Sequence, residues 1–360
     1  MLLNTLPTFY QGKKIFITGH TGFKGSWLLA ALHLLGVEVK GYAHAPHTSP
    51  SLYDLLEGDK MCQSVIGDIL EKDKLKNEIL AFQPDIILHL AAQPLVRLSY
   101  EIPQDTFAVN ALGTANLLDA VRFLEKPCAV VIITTDKVYE NKEWIFSYRE
   151  NDALGGYDPY SASKACAEII TQAYTNSFFN PLAYPTHLKG VATARAGNVI
   201  GGGDWSMDRI IPDIIRALTH NKPIMLRNPS ATRPWQHVIE PIMGYLILGM
   251  RLYEQPTKFH GAWNFGPSLY DNLSVEIVVQ IAINTWGGGE YQNMEIENAV
   301  HEANLLKLDT NKTNSLLDWR GEMDFINAIE ETIAWYKQHQ TEPNTIANYT
   351  KKFIQRYFGL

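Results

Sequence analysis

The amino-acid sequence predicts an α/β fold built on a doubly wound parallel sheet. Apolar, strand-like runs alternate with helical patterns through the first half of the 360-residue chain. These runs show little polar alternation, which is typical of strands that are covered on both faces. A glycine-rich turn at 19–25 follows the first run directly and opens a helix. Repeated strand–helix–strand units of this kind form parallel sheets with helices on both faces.

Six strands are predicted in this half, each from a short and mostly apolar run. They lie at 14–18, 37–42, 62–66, 86–90, 129–133 and 191–195. Helices are predicted between them, at 27–35, 72–82, 110–124 and 160–176. Gly36 is expected to end the first of these helices, because glycine is the residue that most often follows a helix.

Composition and charge narrow the class of protein. Hydrophobic residues make up 46% of the chain and charged residues 19%, as in soluble globular proteins. The net charge of −7 argues against a general nucleic-acid surface, which would need a basic excess, but it allows a small anionic ligand. No run approaches the ~18 apolar residues of a membrane span, and residues 1–12 do not resemble a signal peptide. We therefore expect no nucleic-acid partner and no membrane partner.

The cysteines give no sign of a metal centre. Cys62, Cys128 and Cys166 are widely spaced and match no ligand pattern. We expect reduced, inert thiols and no metal site. Reduced thiols fit a cytoplasmic protein.

The glycine-rich turn is the first candidate binding site, with the spacing G-x-x-G-x-x-G. A tight turn and a close approach of the backbone to a pyrophosphate both call for glycine, and the free N–H groups of a helix N-terminus favour an anion. The position between a strand and a helix makes the turn a strong sign of dinucleotide binding on a Rossmann fold. Its candidate cofactor-binding residues are Gly19, Thr21, Gly22, Phe23, Lys24 and Gly25.

The second strand leaves the choice of dinucleotide open. An Asp or Glu usually ends this strand and holds the adenosine ribose, but residues 40–44 contain neither, and Glu38 lies too early. One interpretation is NAD bound with weak ribose contacts. The other is NADP, with Lys40 or His44 near the 2′-phosphate. We favour NAD.

Beyond residue 197 the pattern of the chain changes. A glycine-rich loop, two helices and a strand are predicted there, at 201–205, 210–221, 240–254 and 263–266. A chain of this length exceeds what one core usually organises. We expect a dinucleotide-binding domain over 1–197, which segments near 238–266 rejoin, and a smaller mixed α/β substrate-binding lobe over 198–360.

Tyr160 and Lys164 form the second candidate site. They lie four residues apart on a predicted helix and therefore share a face. A cation beside a phenol stabilises the phenolate and lowers the pKa of the phenol. Such a pair can remove a hydroxyl proton while hydride leaves the same carbon.

Together with the glycine turn, this pair resembles the short-chain dehydrogenase/reductase superfamily, and Thr18 before the first glycine fits its extended branch. The resemblance implies that Tyr160 and Lys164 are catalytic, with Thr135 as their hydroxyl partner. It also implies contacts to the adenine edge and a wall beside the ribose and nicotinamide, formed by Asp68 and Ile69 and by Ala91, Ala92 and Gln93.

An acid and a base, Asp136 and Lys137, directly follow Thr135 at the end of the fifth predicted strand. This segment resembles nucleotide-sugar 4,6-dehydratases, whose usual form is Thr-Asp-Glu. Lys137 stands where the Glu would be, and this departure resembles the branch that acts on CDP-glucose. Further segments that carry the resemblance are 41–46, 195–205 and 233–238.

The resemblance implies oxidation of the hexose at C4, elimination of water across C5 and C6, and return of the hydride to C6. We assign the base that takes the C5 proton to Lys137 and the acid that helps the 6-hydroxyl to leave to Asp136. Lys137 must be neutral and Asp136 protonated before each can act. Adjacent groups with opposed demands titrate as a coupled pair.

A nucleoside diphosphate calls for arginine. Arg209 and Arg233 are the candidates for the diphosphate or nucleotide, with a structural role as the alternative, while Arg195 is expected to be structural. Asn198 resembles the family's residue near the substrate phosphates. His237 is a candidate ligand or a packed histidine.

Three functions compete. The first is a lyase acting on CDP-glucose in deoxysugar and O-antigen biosynthesis, and the second is an NAD-dependent epimerase or reductase on the same fold. The third is a non-catalytic dinucleotide sensor, which the presence of Tyr160 and Lys164 disfavours. By analogy with the family we expect a homodimer through the helices at 110–124 and 160–176, with a tetramer as the alternative.

Overall fold

The computed structural model describes residues 5–226, 228–267, 273–294 and 306–360. The strands are β1 (Lys14–Thr18), β2 (Glu38–Ala43), β3 (Gln63–Ile66), β4 (Ile86–His89), β5 (Cys128–Thr135), β6 (Lys189–Ala196), β7 (Val199–Ile200), β8 (Ile224–Leu226), β9 (Thr232–Arg233), β10 (Gln236–His237), β11 (Gly261–Phe265), β12 (Leu273–Ser274) and β13 (Tyr291–Asn293).

The α-helices are α1 (Leu6–Tyr10), α2 (Phe23–Leu34), α3 (Leu52–Leu55), α4 (Lys72–Phe82), α5 (Val96–Glu101), α6 (Pro103–Phe107), α7 (Gly113–Val121), α8 (Pro159–Ser177), α9 (Tyr184–His187), α10 (Ile210–Thr219), α11 (Ile239–Glu254), α12 (Pro256–Phe259), α13 (Val275–Trp286), α14 (Asn311–Leu316), α15 (Phe325–Thr341) and α16 (Ile346–Phe358). Within the described ranges, none of them combines the length and the apolar character that crossing a bilayer requires.

Seven strands form the main sheet, in the order β11-β6-β5-β4-β1-β2-β3, and every neighbouring pair is parallel. This confirms the predicted doubly wound parallel sheet. The six strands predicted in the first half are all present, with ends close to those expected. The helices predicted between them are also present, and α4 has the predicted bounds.

The sheet reverses its winding between β1 and β4. Strand β1 pairs with β2 on one side and with β4 on the other, so Thr18 lies between Tyr42 and His89. Loops that leave such a point go to opposite faces and open a crevice where α/β sheets bind ligands. The turn after β1 and the segment after β4 meet at this crevice, since a Cβ on Gly19 would lie 2.8 Å from the nitrogen of Ala91.

Strand β5 is longer than predicted. All eight of its residues are buried, and β6 pairs with it as far as Thr135, which lies opposite Ala196. Two threonines extend the strand beyond its apolar run because β6 supplies backbone partners to the end and threonine suits strands. As a result, Asp136 and Asn198 leave the sheet at the same edge.

The start of α8 is fixed by local chemistry. Asp158 caps the helix by accepting a hydrogen bond from the N–H of Ser161, and Pro159 occupies its first turn. Both residue types are favoured at these positions. Tyr160 is therefore held in the first turn of the helix and Lys164 in the second.

A π-helical turn, Ala108–Leu112, interrupts the helix that was predicted at 110–124 and leads into α7. Such turns occur mostly at functional sites. No local sequence pattern marks it.

The second half contributes to the same sheet. Strand β11 pairs with β6, which realises the strand predicted at 263–266. One hydrophobic core runs through both halves and contains Trp27, Trp263 and Trp335. Helix α16 packs against α2, where Phe353 contacts Trp27 with ring centroids 5.7 Å apart. The division into domains at residue 197 stays a prediction.

Candidate active site

Close packing explains the glycines of the turn after β1. Gly19 has a φ of 78°, in the left-handed region that favours glycine. A Cβ on Gly25 would lie 2.0 Å from the carbonyl oxygen of Gly19. Gly22 caps α2 without any side-chain acceptor for its first N–H groups. The turn therefore presents a helix N-terminus that suits a phosphate group.

Thr21 and Phe23 fix the turn to its surroundings. The hydroxyl of Thr21 donates to the carbonyl oxygen of His44 at 2.8 Å, which ties the turn to the loop after β2. The ring of Phe23 lies under the loop after β7, where a Cβ on Gly201 would be 3.2 Å from its Cζ. Both residues therefore lie where the loops after β1, β2 and β7 meet, and their contact with a cofactor stays a prediction.

Lys24 lies closer to the candidate acid/base groups than the sequence indicated. Its Nζ donates to the hydroxyl of Tyr245 on α11 at 3.3 Å. Burial lowers the pKa of Lys24 to about 7; the charges of Lys164 and Arg209 act in the same direction, and that of Asp136 opposes them. These interactions place Lys24 at the junction of the glycine turn and the acid/base cluster.

The loops after β2 and β3 meet at Asp68. Its Oδ2 lies 3.3 Å from Nε2 of His44, and its Oδ1 accepts the N–H of Leu70 at 2.9 Å. Ile69 is buried against the start of α7, where Gly113 leaves room for its side chain. Asp68 thus places a carboxylate beside the loop after β2, from the loop that follows the neighbouring strand β3. Its predicted contact with the adenine edge stays a prediction.

The segment after β4 is held by an amide that the sequence did not single out. Ala91 and Ala92 are half-buried at the crevice. The N–H of Gln93 donates to Oδ1 of Asn110 at 2.8 Å, and Nδ2 of Asn110 donates to the hydroxyl of Ser163 at 2.8 Å. Because Asn110 lies in the π-helical turn, that turn connects the segment after β4 to α8.

Lys164 is buried in the wall between α8 and β5. Its Nζ donates to the carbonyl oxygen of Ile133 at 2.9 Å. Burial lowers the pKa of Lys164 to about 8, and the carboxylate of Glu168 opposes this shift.

Tyr160 does not have the lowered pKa that the sequence predicted. Burial raises the pKa of its phenol to about 12. The groups that act in the lowering direction are Thr135, through a side-chain hydrogen bond, and the guanidinium of Arg209. Tyr160 and Thr135 are therefore neighbours, as expected, but burial outweighs the favourable contacts in the protein alone.

Asp136, Lys137 and Asn198 form one hydrogen-bonded cluster. Oδ1 of Asp136 accepts the hydroxyl of Thr135 at 2.8 Å and lies 3.3 Å from Nζ of Lys137. The same Nζ donates to Oδ1 of Asn198 at 3.1 Å. The Asp136 side chain is almost fully buried, whereas that of Lys137 is 26% exposed. The predicted acid and base are thus adjacent, and the base reaches the open cleft.

Two arginines were expected to bind the diphosphate. Arg209 donates to Oδ2 of the buried Asp204 at 2.7 Å, and the carboxylate outweighs burial and raises the pKa of the guanidinium. Its charge also acts on Tyr160 and Lys24, so Arg209 lies at the cleft. Arg233 is half-buried in β9 and donates to the carbonyl oxygen of Thr232 at 3.0 Å.

His237 lies in the core. Its ring is 2% exposed and packs between Trp27 and Phe353, with centroid distances of 5.4 and 4.9 Å. Burial lowers its pKa to about 3, so it is neutral at physiological pH. The structure favours the packing alternative over a substrate ligand.

A buried ion pair between Glu168 and Arg195 lies beneath these groups. The carboxylate of Glu168 accepts hydrogen bonds from the hydroxyls of Thr134 and Thr193 at 2.6 and 2.8 Å and from the guanidinium of Arg195. Arg195 also donates to the hydroxyl of Tyr139 at 2.8 Å. Arg195 was expected to be structural. Through its contact with Glu168 it connects β6 to α8, and Glu168 in turn binds Thr134 of β5.

Sequence reasoning missed the supporting residues of the site, namely Asn110, Glu168, Asp204 and Tyr245. Glu168 had a weak signal, because it follows Lys164 by one helical turn. The contact between Tyr245 and Lys24 joins residues far apart in the chain, so no local spacing could have indicated it.

Comparisons with known proteins agree with this architecture. Residues 16–332 match the family model described as GDP-mannose 4,6 dehydratase. The chain is 49% identical to CDP-glucose 4,6-dehydratase of Salmonella typhimurium over 329 residues, which cover 91% of this chain and 92% of that enzyme. It is 31% identical to CDP-paratose 2-epimerase of Salmonella typhi, with 89% of this chain and 98% of that enzyme covered.

Solved structures share the fold at lower identity. The epimerase Mth375 of Methanothermobacter thermautotrophicus superposes with a TM-score of 0.79 at 21% identity, covering 94% of this chain and 96% of that one. DesIV of Streptomyces venezuelae, a dTDP-glucose 4,6-dehydratase solved with NAD bound, superposes with a TM-score of 0.75 at 22% identity, covering 92% and 99%.

Proposed function

The chain belongs to the GDP-mannose 4,6-dehydratase family, within the extended short-chain dehydrogenase/reductases, and from this premise we propose that it is a CDP-glucose 4,6-dehydratase. It converts CDP-D-glucose to CDP-4-keto-6-deoxy-D-glucose with loss of water. The 49% identity to an enzyme of that name supports the substrate. The observation that carries the elimination is the contact between Asp136 and Lys137 at the mouth of the cleft.

The chain's own residues fit NAD as the cofactor. The uncapped N-terminus of α2 suits the pyrophosphate. The carboxylate of Asp68 beside His44 would repel a 2′-phosphate, and Lys40 is paired with Glu78. Both side chains that could receive that phosphate are therefore engaged with carboxylates. When bound, NAD would supply the acceptor for the C4 hydride and the donor of the hydride to C6, and its positive charge would favour the phenolate form of Tyr160.

Oxidation needs a base for the C4 hydroxyl. As the phenolate, Tyr160 takes this proton and becomes the neutral phenol. Thr135 and Arg209 favour the phenolate that begins the step. Lys164 donates a hydrogen bond to the carbonyl oxygen of Ile133, which fixes its own positive charge at the wall of the pocket. The C4 carbon becomes a ketone, which acidifies the C5 proton.

Elimination then uses the neighbouring pair. Lys137 takes the C5 proton, the C5–H electron pair forms the C5–C6 double bond, and the C6 hydroxyl leaves as water with a proton from Asp136. Oδ1 of Asp136 accepts hydrogen bonds from the hydroxyl of Thr135 and from Nζ of Lys137. The other oxygen, Oδ2, therefore carries the acidic proton.

Reduction restores the site. The ammonium of Lys137, whose side chain is 26% exposed, exchanges its protons with solvent and then gives one of them to C5 as C6 receives its hydride. The proton that Tyr160 received from the C4 hydroxyl replaces the one that Asp136 gave to water. The net change is therefore the loss of one water molecule.

The substrate lies across the cleft, with its diphosphate at Arg209 and Arg233 and near Asn198. Arg209 offers guanidinium N–H groups beyond the one bound to Asp204. Bidentate donors of this kind suit a diphosphate.

A homodimer is the proposed assembly. Phe107 and Leu112 are exposed at an open apolar groove formed by α6 and the π-helical turn. Helix α8 packs against α6 and the π-helical turn, and its Ile169 is also exposed. An apolar face of this kind marks a protein–protein contact. We place the enzyme in the cytoplasm, in deoxysugar synthesis for lipopolysaccharide.

A panel of nucleotide-glucose substrates tests the proposal. With NAD present, the purified protein should convert CDP-glucose to a product lighter by one water, and in deuterated solvent the product should carry one deuterium at C5. An epimerase would leave the mass unchanged, and a reductase would not lose water. Turnover of another nucleotide-glucose in preference to CDP-glucose would refute the cytidine assignment alone.

A further inference from the structure

Asn198 resembles a residue that lies near substrate phosphates, but its side chain contacts the candidate base. We infer that Asn198 is a positioning residue for Lys137, which fixes the direction of the amine lone pair toward the cleft. This inference rests on the proposed function, because it concerns the base of the elimination step.

The contact has a defined chemistry. Nζ of Lys137 lies 3.1 Å from Oδ1 of Asn198 and 3.3 Å from Oδ1 of Asp136. Lysine has only donors, so the amide of Asn198 must present its oxygen and not its nitrogen. The base is therefore held between two acceptors that come from different elements, the turn after β5 and the loop after β6.

Both acceptors are themselves fixed. The hydroxyl of Thr135 donates to Oδ1 of Asp136 at 2.8 Å. The carbonyl oxygen of Asn198 accepts the N–H of Gln236 at 3.1 Å. The register of β5 and β6, with Thr135 opposite Ala196, sets the distance between the two elements. The geometry around Nζ thus depends on the sheet and not on the flexible lysine side chain.

Two acceptors are sufficient to orient a neutral amine. Such an amine has two N–H bonds and one lone pair in roughly tetrahedral directions. When both N–H bonds donate to Asp136 and Asn198, only one direction remains for the lone pair. The side chain of Lys137 is 26% exposed, and its contacted side faces the protein, so this remaining direction faces the cleft.

The same direction serves the return of the proton. In the ammonium form, the third N–H bond occupies the position of the lone pair. A proton, exchanged with solvent, is then given to C5 along the line on which the first one was removed. With Asp136 as the only acceptor, rotation about the Cε–Nζ bond would leave the lone pair without a fixed direction, because the lysine side chain is long and flexible.

Other charged groups around this cluster remain constant when Asn198 is changed. Asp136 lies on the same turn, and Tyr160 faces it from α8. Lys24, Lys164 and Arg209 bring positive charge to the pocket from α2, α8 and the residue before α10. A difference in the Lys137 midpoint or in the pH–rate profile between variants at position 198 is therefore caused by the side chain that replaces the amide.

The first test needs no substrate. Acetic anhydride modifies neutral amines, so the rate at which Lys137 is acetylated, measured by peptide mass spectrometry across pH, gives the pH at which Lys137 loses its proton. Asn198→Asp places an anion beside Nζ and should move that midpoint upward by about one pH unit. Asn198→Ala removes an acceptor that favours the ammonium form and should move it downward. An unchanged midpoint in both variants overturns the inference.

Asn180→Asp is the matched control, because it makes the same change of charge at an exposed residue that caps the turn at 181–183. That turn precedes β6 and lies toward the amino ends of the strands, whereas the site lies at their carboxyl ends. We expect it to leave the Lys137 midpoint unchanged. An equal shift in this control would show a general charge effect and would also overturn the inference.

The second test uses turnover of CDP-glucose. Asn198→Ala should lower kcat by about 10- to 100-fold through loss of orientation with a smaller change in KM, and Asn198→Asp should move the rising limb of the pH–rate profile upward. A rise in KM with kcat and the pH profile unchanged would assign Asn198 to phosphate binding alone and overturn the inference. If the wild-type protein releases no water from CDP-glucose, the proposed function fails, while the acetylation test still decides the contact.

Discussion

The carboxylate of Glu168 and the guanidinium of Arg195 form a two-point ion pair beneath the candidate site, at 3.0 Å through Nε and 2.9 Å through Nη2. Both side chains are only 4% exposed. Glu168 lies one turn after Lys164 on α8, and Arg195 lies at the end of β6 before Asn198. The pair therefore joins the helix that carries Tyr160 and Lys164, the proposed redox groups, to the strand that leads to Asn198, the proposed positioning residue of the base.

Removing one partner of this pair should be costly. In Glu168→Gln the buried Arg195 loses its counter-charge, and we expect the free energy of unfolding in urea to fall by about 3–5 kcal/mol. The matched control is Glu331→Gln, which breaks the exposed pair with Arg356 and should cost about 1 kcal/mol or less. Similar losses in the two variants would contradict a special role for the buried pair.

Lys137→Met should separate binding from chemistry. The variant keeps an unbranched side chain, one atom shorter, but removes the base, so CDP-glucose should still bind while dehydration falls by ~10²–10⁴-fold. Calorimetric titration measures the binding, and product mass measures the dehydration. Lys142→Met, at an exposed lysine paired with Glu140, is the control and should stay near normal. Near-normal turnover of Lys137→Met would remove Lys137 from the mechanism.

Glu240 should make stability depend on pH. Burial raises the pKa of its carboxyl to about 7, from an ordinary value of 4.5. Its oxygens accept the N–H groups of Glu322 and Met323 at 3.0 and 2.8 Å. A carboxyl with a raised pKa in the folded state contributes stability that is fully present below pH 4.5 and is lost as the pH rises through 7.

The contribution from Glu240 amounts to about 3 kcal/mol across this range. The range from pH 5 to pH 8 covers most of the interval between the ordinary pKa and the raised one and extends above it. Over this range the free energy of unfolding in urea should fall more steeply for the wild type than for Glu240→Gln. The glutamine variant keeps one of the two acceptor oxygens and cannot titrate, so it has a lower stability throughout but no pH dependence from this position. Parallel curves for the two proteins would show that Glu240 is ionised in the folded state throughout.

The fold was predictable because its signals are local. Apolar runs without alternation indicate buried parallel strands, and the glycine turn marks the crevice after β1. The end of β5 was placed two residues early, because Thr134 and Thr135 owe their strand conformation to pairing with β6. The π-helical turn at Ala108–Leu112 was missed for a similar reason, since the contacts of Asn110 with Gln93 and Ser163 hold it.

The candidate site was predictable only where its functional residues lie close together in the sequence. Asp136 and Lys137 are neighbours in sequence, and their contact follows. Asn198 and Lys137 are 61 residues apart, so their contact depends on the register of two strands. For the protein alone, the expected direction of the Tyr160 pKa shift was wrong, because a sequence shows Lys164 four residues away but not the burial that dominates the pKa of the phenol.

Gly25→Ala should disrupt the glycine turn. The new Cβ would lie 2.0 Å from the carbonyl oxygen of Gly19, so the turn must move, and we expect a loss of more than about 2 kcal/mol in unfolding free energy together with weaker NAD binding. Gly22→Ala is the control within the same turn, because its Cβ meets that oxygen at an ordinary 3.5 Å. Its stability should change by about 0.5 kcal/mol or less. Equal stability of the two variants would contradict the packing argument.

Leu112→Asp should break the proposed homodimer. Leu112 is 59% exposed beside the apolar groove of α6 and the π-helical turn, so a second copy would bury it, and a carboxylate there would lose its hydration without a partner. Sedimentation velocity should show a dimer for the wild type and a monomer for this variant. Leu182→Asp makes the same substitution at a leucine that is 95% exposed outside the groove, and it should remain a dimer. A monomeric wild type would refute the assembly, whereas a dimeric Leu112→Asp variant would move the contact to another face of the molecule.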